Sequence, residues 1–270
     1  MPNSIPFYKM VASGNDFVVV DNRRKAVRNV SAFTREICAL HQGAGADGVL
    51  LFEGSSRADF KMRIINSDGS EAAACGNGFR CIALYAREIM KRPPAMKFES
   101  GSGLIEANVR TGGVVRVQLV KPKIFEMNGT VDVLGRQIHY SFLDTGVPHA
   151  VVFVEGISKL DVVGIGRAMR CHKRFKPAGT NVNFVEIKNA KEIMVRTYER
   201  GVENETLACG TGSTASAVIS VLKGYVKAPV TARTRGGELL TIDMELKNGE
   251  IQKTFLQGKA RFVYKGEYFL

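Results

Sequence analysis

The chain opens on two apolar, β-branched runs on either side of a turn: FYKMVASGNDFVVVD predicts a strand, a Gly14-Asn15-Asp16 turn and a second strand. The rhythm then changes. In SAFTREICALHQ, Phe33, Ile37 and Leu40 share one helical face behind a Ser31 cap. Strands follow at Gly48 to Phe52 and Phe60 to Ile65, and the turn Asn66-Ser67-Asp68-Gly69 leads into ACGNGFRC. The helix behind that motif carries Phe79, Ile82, Tyr85 and Ile89 on one face and is stopped by Pro93-Pro94. Short strands run from Ala95 to about Val120.

From Gln137 the same order returns: strands in IHYSFLDTG and AVVFVE, a helix around Val163 to Arg170, and strands in NVNFVEI and EIMVRTYE. ACGTGSTA then opens a helix that Gly224 ends. The cysteines heading the two motifs, Cys75 and Cys209, stand 134 residues apart in a chain of 270, which predicts two halves of similar architecture, each supplying one motif. The strand pattern lapses at Lys121-Pro122-Lys123, so the domains are set at 1–120 and 121–259, with the tail 260–270 able to return to the first. Thr211 to Leu222 is apolar on every face, as befits a buried helix wrapped by sheet.

The repeated motif has a chemical reading. Its first glycine allows a sharp entry into a helix whose first N–H groups lack intrahelical acceptors. That end binds carboxylates, and the same field draws a neighbouring cysteine toward the thiolate. Two such ends facing one carboxylate would place a sulfur on either side of its α-carbon. One thiolate would take the α-proton and the opposite thiol would return a proton to the other face, while the amides stabilise the carboxylate as it gains carbanion charge.

Composition sets the context for this chemistry. The net charge of +12 raises a nucleic-acid partner, but the cations are scattered singly, without aromatic interleaving or a nucleic-acid motif. The expectation is a solvated basic surface that draws in carboxylates, with no nucleic-acid partner. Five cysteines at 38, 75, 81, 171 and 209 form neither the dense pairs of a disulfide scaffold nor the CxxC pairs of a zinc site, so thiols and no metal are expected. Cys38, Cys81 and Cys171 read as inert, buried small hydrophobes. Cys75 and Cys209 read as functional because their context is duplicated, with a regulatory disulfide between them as the alternative. The opening lacks the apolar run of a leader, and no stretch reaches the roughly 20 apolar residues of a membrane span. A cytoplasmic protein with no membrane partner is expected.

The chain resembles the diaminopimelate epimerase family. The resemblance rests on GNDF at Gly14 to Phe17, GADG at Gly45 to Gly48, NSDGSEAAACGNGFRC at Asn66 to Cys81, Pro148-His149, TNVNF at Thr180 to Phe184 and ERGVENETLACGTG at Glu199 to Gly212. It implies an α+β fold of two pseudo-symmetric domains, each a curled, mostly antiparallel, barrel-like sheet around a central helix, with the active site in the cleft between them. It also implies a cofactor-independent isomerase that interconverts LL- and meso-2,6-diaminopimelate in lysine and peptidoglycan precursor synthesis. Cys75 and Cys209 would be the acid/base pair, with His149 and Glu199 setting their protonation. Asn15, Asn66, Asn181 and Arg200 would hold the substrate's polar groups, and the amides of Gly76, Asn77, Gly210 and Thr211 would cradle the reacting carboxylate.

Without the resemblance, His149 would read as a satisfied strand-end residue, Glu199-Arg200 as an exposed pair, and Asn66 and Asn15 as turn formers. Two positions depart from the family pattern: Val147 stands where some members have Asn, and Gly48 where some have Gln. They motivate a racemase or epimerase of another amino acid as the alternative. A non-catalytic carboxylate- or nucleic-acid-binding protein is the rival from another class. The small-molecule partner is an amino acid, and a homodimer is the assembly to test.

Overall fold

The computed structural model describes residues 4–269; residues 1–3 and 270, at the ends of the chain, lie outside the described residues. The chain forms two compact units, residues 1–118 with 258–270, and residues 119–257. In chain order the first unit holds β1 (Ser4–Ala12), β2 (Asn15–Asp21), α1 (Val30–Cys38), β3 (Gly48–Glu53), β4 (Phe60–Asn66), β5 (Glu71–Ala72), α2 (Gly76–Glu88), β6 (Ala95–Ser100), β7 (Gly103–Val109) and β8 (Val114–Leu119). The second holds β9 (Lys123–Val133), β10 (Arg136–Asp144), β11 (Pro148–Phe153), α3 (Val162–Arg170), β12 (Asn181–Asn189), β13 (Glu192–Glu199), β14 (Asn204–Thr206), α4 (Gly210–Leu222), β15 (Val230–Thr234), β16 (Leu239–Lys247) and β17 (Glu250–Lys259). The last strand, β18 (Arg261–Phe269), pairs with β1 in the first unit.

Strand pairing shows the duplication that the motifs suggested. The first unit is ordered β18–β1–β2–β3–β4–β6–β7–β8, with β5 also on β4, and only β2–β3 and β4–β6 are parallel. The second is ordered β9–β10–β11–β12–β13–β15–β16–β17, with β14 also on β13, and only β11–β12 and β13–β15 are parallel. A parallel pair cannot be joined by a tight hairpin, so each takes a helical crossover: α1 and α3 for the first pair, α2 and α4 for the second. The sheets are thus mostly antiparallel but mixed, and neither order closes on itself.

Side-chain alternation assigns one crossover helix to each sheet face. In the second unit Ala150, Val152, Val182, Phe184 and Tyr198 pack with Val162 and Met169 of α3. The residues between them, His149, Asn183 and Thr197, turn to the face that α4 covers, and all three are buried. In the first unit Val18, Val20, Val49 and Leu51 receive Phe33, Ile37 and Cys38 of α1. The α2 side takes Tyr85 edge-on against Tyr8 and Phe52, and Phe79 against Phe98. Every residue of α4 from Gly212 to Ser220 is buried, as is every residue of α2 from Asn77 to Ala86.

Some local expectations change. The α1 cap is Asn29, whose Oδ1 accepts from Ala32 N–H at 3.1 Å. Ser31 lies inside the helix and donates instead to the Gly69 carbonyl at 3.0 Å, tying α1 to the turn before the first motif. Leu40, expected on the buried face, follows the helix end and is 74% exposed. The lapse at Lys121-Pro122-Lys123 is short, since β9 begins at Lys123 with an exposed, irregular stretch that lacks a strand's alternation. Past Gly224, where no element is predicted, the chain makes four more strands. None of the described helices is long and apolar enough to cross a membrane.

Candidate active site

Each motif cysteine is the residue from which a sheet-wrapped helix starts. Cys75 (φ −155°, ψ 112°) caps α2, and its Sγ accepts from Gly78 N–H at 3.4 Å. Cys209 (φ −123°, ψ 111°) caps α4, and its Sγ accepts from Gly212 N–H at 3.4 Å. A thiol thus takes the role usually filled by Ser, Thr or Asp, and the amide it receives favours a charged sulfur over a neutral one. Gly76 and Asn77, like Gly210 and Thr211, are the first helical residues, so their N–H groups have no acceptor within the helix. The Thr211 hydroxyl lies 3.4 Å from the Cys209 sulfur.

Around Cys75 the polar groups form a directed chain. The fully buried Arg80 donates to Asn77 Oδ1 at 2.8 Å and to the Ser13 hydroxyl. With its carbonyl so held, Asn77 donates to Asn15 Oδ1 at 2.6 Å, and Asn15 donates to Asp47 Oδ2 at 2.9 Å. Asn66 stands apart from this chain: it is exposed, makes the turn to Ser70 and donates to the Ser70 hydroxyl at 3.0 Å.

Around Cys209 the residues come from the α4-facing side of β11, β12 and β13. Asn181 donates to the Pro148 carbonyl at 3.0 Å and accepts from Arg200 N–H at 2.8 Å, clasping two chain segments. The Arg200 guanidinium is steadied by the Ala178 carbonyl at 2.9 Å. Burial pushes the Glu199 carboxyl above its ordinary range, while the Thr206 hydroxyl and the Cys209 thiol beside it pull the other way. His149 is fully buried, and burial, aided by the Arg200 charge, lowers its pKa to about 3.

Pairing register shows where the duplication stops. Phe17 stands opposite Gly48 as His149 stands opposite Asn181, and Asn66 ends β4 as Glu199 ends β13. At the two matched positions the second unit carries His149 and Glu199 where the first carries Phe17 and Asn66. The sequence reading missed Asp47, Arg80, Asn183 and Thr197. Asp47, Arg80 and Asn183 lie inside quoted motifs, and the alternation N-V-N-F was the available signal for Asn183.

Of the remaining cysteines, Cys38 is buried with its thiol pushed up to about 12, and Cys81 is fully buried and pushed higher still. Neither ionises readily, as expected of packing residues. Cys171 is a correction: it caps the C-terminus of α3 and is exposed. Among the described residues no three His, Cys, Asp or Glu side chains cluster as a metal site.

Gly48 has a steric cause. A Cβ there would lie 2.5 Å from the Ile65 carbonyl oxygen across the β3–β4 pair. Gly48→Gln is therefore expected to destabilise the protein by about 1–3 kcal/mol, read as a lower denaturation midpoint. An unchanged midpoint would show that the strands separate freely. Val147 is half-buried, with its carbonyl accepting from Thr145 N–H at 3.1 Å, and its side chain offers no hydrogen bond.

The model of the family described as diaminopimelate epimerase matches residues 7–124 and 141–263. The chain belongs to the diaminopimelate epimerase family. It is an enzyme of the isomerase class. A diaminopimelate epimerase of Aquifex aeolicus is 47% identical, with 96% of each chain covered. One of Chlorobaculum tepidum is 39% identical over 95% of this chain and 98% of its own. Among solved structures, a hydroxyproline epimerase of Agrobacterium vitis shares the fold with a TM-score of 0.73 at 18% identity, covering 100% of this chain and 94% of its own.

Within this diaminopimelate epimerase family member, Glu199 links pH to stability. A carboxyl whose folded pKa lies above its unfolded value costs stability progressively as pH rises from about 4.3 through the folded pKa. Glu199→Gln is expected to raise the melting temperature at pH 8, with the gain fading as pH falls toward 4. A gain that instead grew on acidification would contradict the burial argument.

Proposed function

We propose that the protein interconverts LL- and meso-2,6-diaminopimelate without a cofactor, in the cytoplasm, as a step in lysine and peptidoglycan precursor synthesis. One observation carries this reading: each of two topologically matched units starts its sheet-wrapped helix on a cysteine whose sulfur receives a helix amide. In the proposed reaction a thiolate of one motif takes the α-proton as the Cα–H bond breaks. The electron pair passes into the α-carboxylate, which the amides of Gly76, Asn77, Gly210 and Thr211 hold. The thiol of the other motif then delivers its proton to the opposite face, so the two sulfurs exchange protonation states in each turnover.

Asn15 and Asn77, oriented by the Arg80 and Asp47 contacts, together with Asn66, Asn181 and Arg200, hold the remaining amino and carboxylate groups in this reading. Arg200 suits the distal carboxylate because its planar fork can bind two oxygens. In this reading Glu199, which lies beside the Cys209 thiol and is raised in pKa, exchanges a proton with it. A pair that must hold one thiolate and one thiol gives a bell-shaped rate, so activity should fall at both pH extremes. A rate that rose monotonically to high pH would argue for a single ionised base.

The direct test is NMR of the reduced protein with LL-diaminopimelate in D₂O, with other L-amino acids in parallel. Loss of the α-proton signal and growth of the meso form in diaminopimelate alone supports the proposal. Exchange into a different amino acid keeps the two-thiol chemistry and removes the substrate. No exchange in folded, reduced protein removes the reaction and favours carboxylate binding.

A further inference from the structure

Beneath the first turn of α4 lies Asn183, which the functional reading does not use. It is fully buried on β12, directly opposite Thr197 on β13. Its Nδ2 donates to the Ala150 carbonyl at 3.2 Å and faces His149 Nδ1 at 3.0 Å, while its Oδ1 accepts the Thr197 hydroxyl at 3.0 Å. These contacts fix the direction of every proton. A backbone carbonyl can only accept, so the amide nitrogen must be the atom facing Ala150, and it then presents its second hydrogen to His149 Nδ1. That nitrogen is therefore an acceptor without a proton, and the ring proton belongs on Nε2.

His149 Nε2 is itself buried and has no hydrogen-bond partner among the described residues. A buried donor left unpaired costs about 1–3 kcal/mol, so its persistence points to a bound group that accepts from it. The point occupied by a Cβ on Gly212 would lie 2.3 Å from Asn183 Oδ1 and 3.2 Å from the Cys209 sulfur, so the Asn183 amide lies directly behind the helix end that carries Cys209. The charge that bears on the ring is that of Arg200, and it opposes a second ring proton.

We propose that Asn183 is a positioning residue that locks His149 with its proton on Nε2, making the ring a fixed hydrogen-bond donor to a bound anionic group. The ring therefore does not carry the proton exchanged at the α-carbon. This rests on the proposed epimerisation, but the tautomer can be read without any activity.

The experiment uses the full-length protein labelled with ¹⁵N-histidine, the His149 signals being assigned by their loss in His149→Gln. A protonated Nε2 and an unprotonated Nδ1, with the Nε2–H signal shifting when meso-diaminopimelate is added, is the expected spectrum. A proton on Nδ1, a doubly protonated ring, or an Nε2–H indifferent to the ligand overturns the proposal. Asn183→Asp offers Nδ1 an acceptor in place of a donor. It is expected to move the proton to Nδ1 and to lower kcat by about 10- to 100-fold with little change in KM, as for one lost hydrogen bond to a charged group. Unchanged kcat in the folded variant overturns the positioning role, and if that variant does not fold, the wild-type spectra alone decide. The expected tautomer in a protein that does not exchange the diaminopimelate α-proton supports the tautomer assignment and overturns the epimerase reading.

Discussion

Cys75→Ala and Cys209→Ala are each expected to lower α-proton exchange in diaminopimelate by about 10²–10⁴-fold, the usual worth of a positioned proton-transfer group. Both variants should stay folded, because the capping bond that each sulfur accepts is weak, at 3.4 Å, and alanine fits the same extended backbone. The losses should not add. Either change breaks a two-proton cycle, so the double variant should be about as inactive as the worse single one. Deuterium incorporation followed by NMR, beside circular dichroism of the same samples, checks the prediction. Two single variants with near-normal exchange and native folding would reduce both cysteines to capping residues.

The second large effect is expected at Gly212, through a comparison that the duplication supplies. Gly→Ala inside a helix ordinarily stabilises, by up to about 1 kcal/mol. At Gly78 the added methyl would meet the ends of the Leu50 and Met62 side chains at 3.2 and 3.3 Å, which can shift, so Gly78→Ala should cost little. At Gly212 it would fall 2.3 Å from Asn183 Oδ1 and 3.2 Å from both the Cys209 sulfur and the Thr197 hydroxyl. Asn183 cannot retreat without releasing Thr197, Ala150 and His149 together. Gly212→Ala is therefore expected to cost about 1–3 kcal/mol of stability as an overpacked site, with a steep loss of activity from the displaced sulfur. Denaturation midpoints of the two variants, measured side by side, decide it. Equal stability would mean that the α4 end is as yielding as the α2 end.

Several features are legible in the sequence. The small-residue run after each Cys-Gly-x-Gly required a buried helix, and the alternation in TNVNFV required a strand with a polar and an apolar face. Caps and exposed strands were harder. The N-cap moved from Ser31 to Asn29 because Ser31 found a partner in Gly69, far along the chain. β9 escaped notice because its first residues face solvent and carry no periodic signal. Cys171 has the local sequence of a packing residue, and only the position of the α3 end in solvent exposes it.

The sequence by itself determined the duplicated plan, the two cysteine-headed helices and, through its motifs, the family. These are local matters of spacing, glycine freedom and residue periodicity, which neighbouring residues encode directly. The surroundings of the two motifs follow from tertiary structure. Strand register places His149 and Glu199 in the unit of Cys209 and leaves Phe17 and Asn66 at the matching positions of the first unit. It also turns Asn183 toward His149, and it makes Gly48 a necessity of the strand beside it. Hydrogen-bond direction and steric clearance depend on atoms contributed by strands far apart in the chain, and no local pattern carries that information.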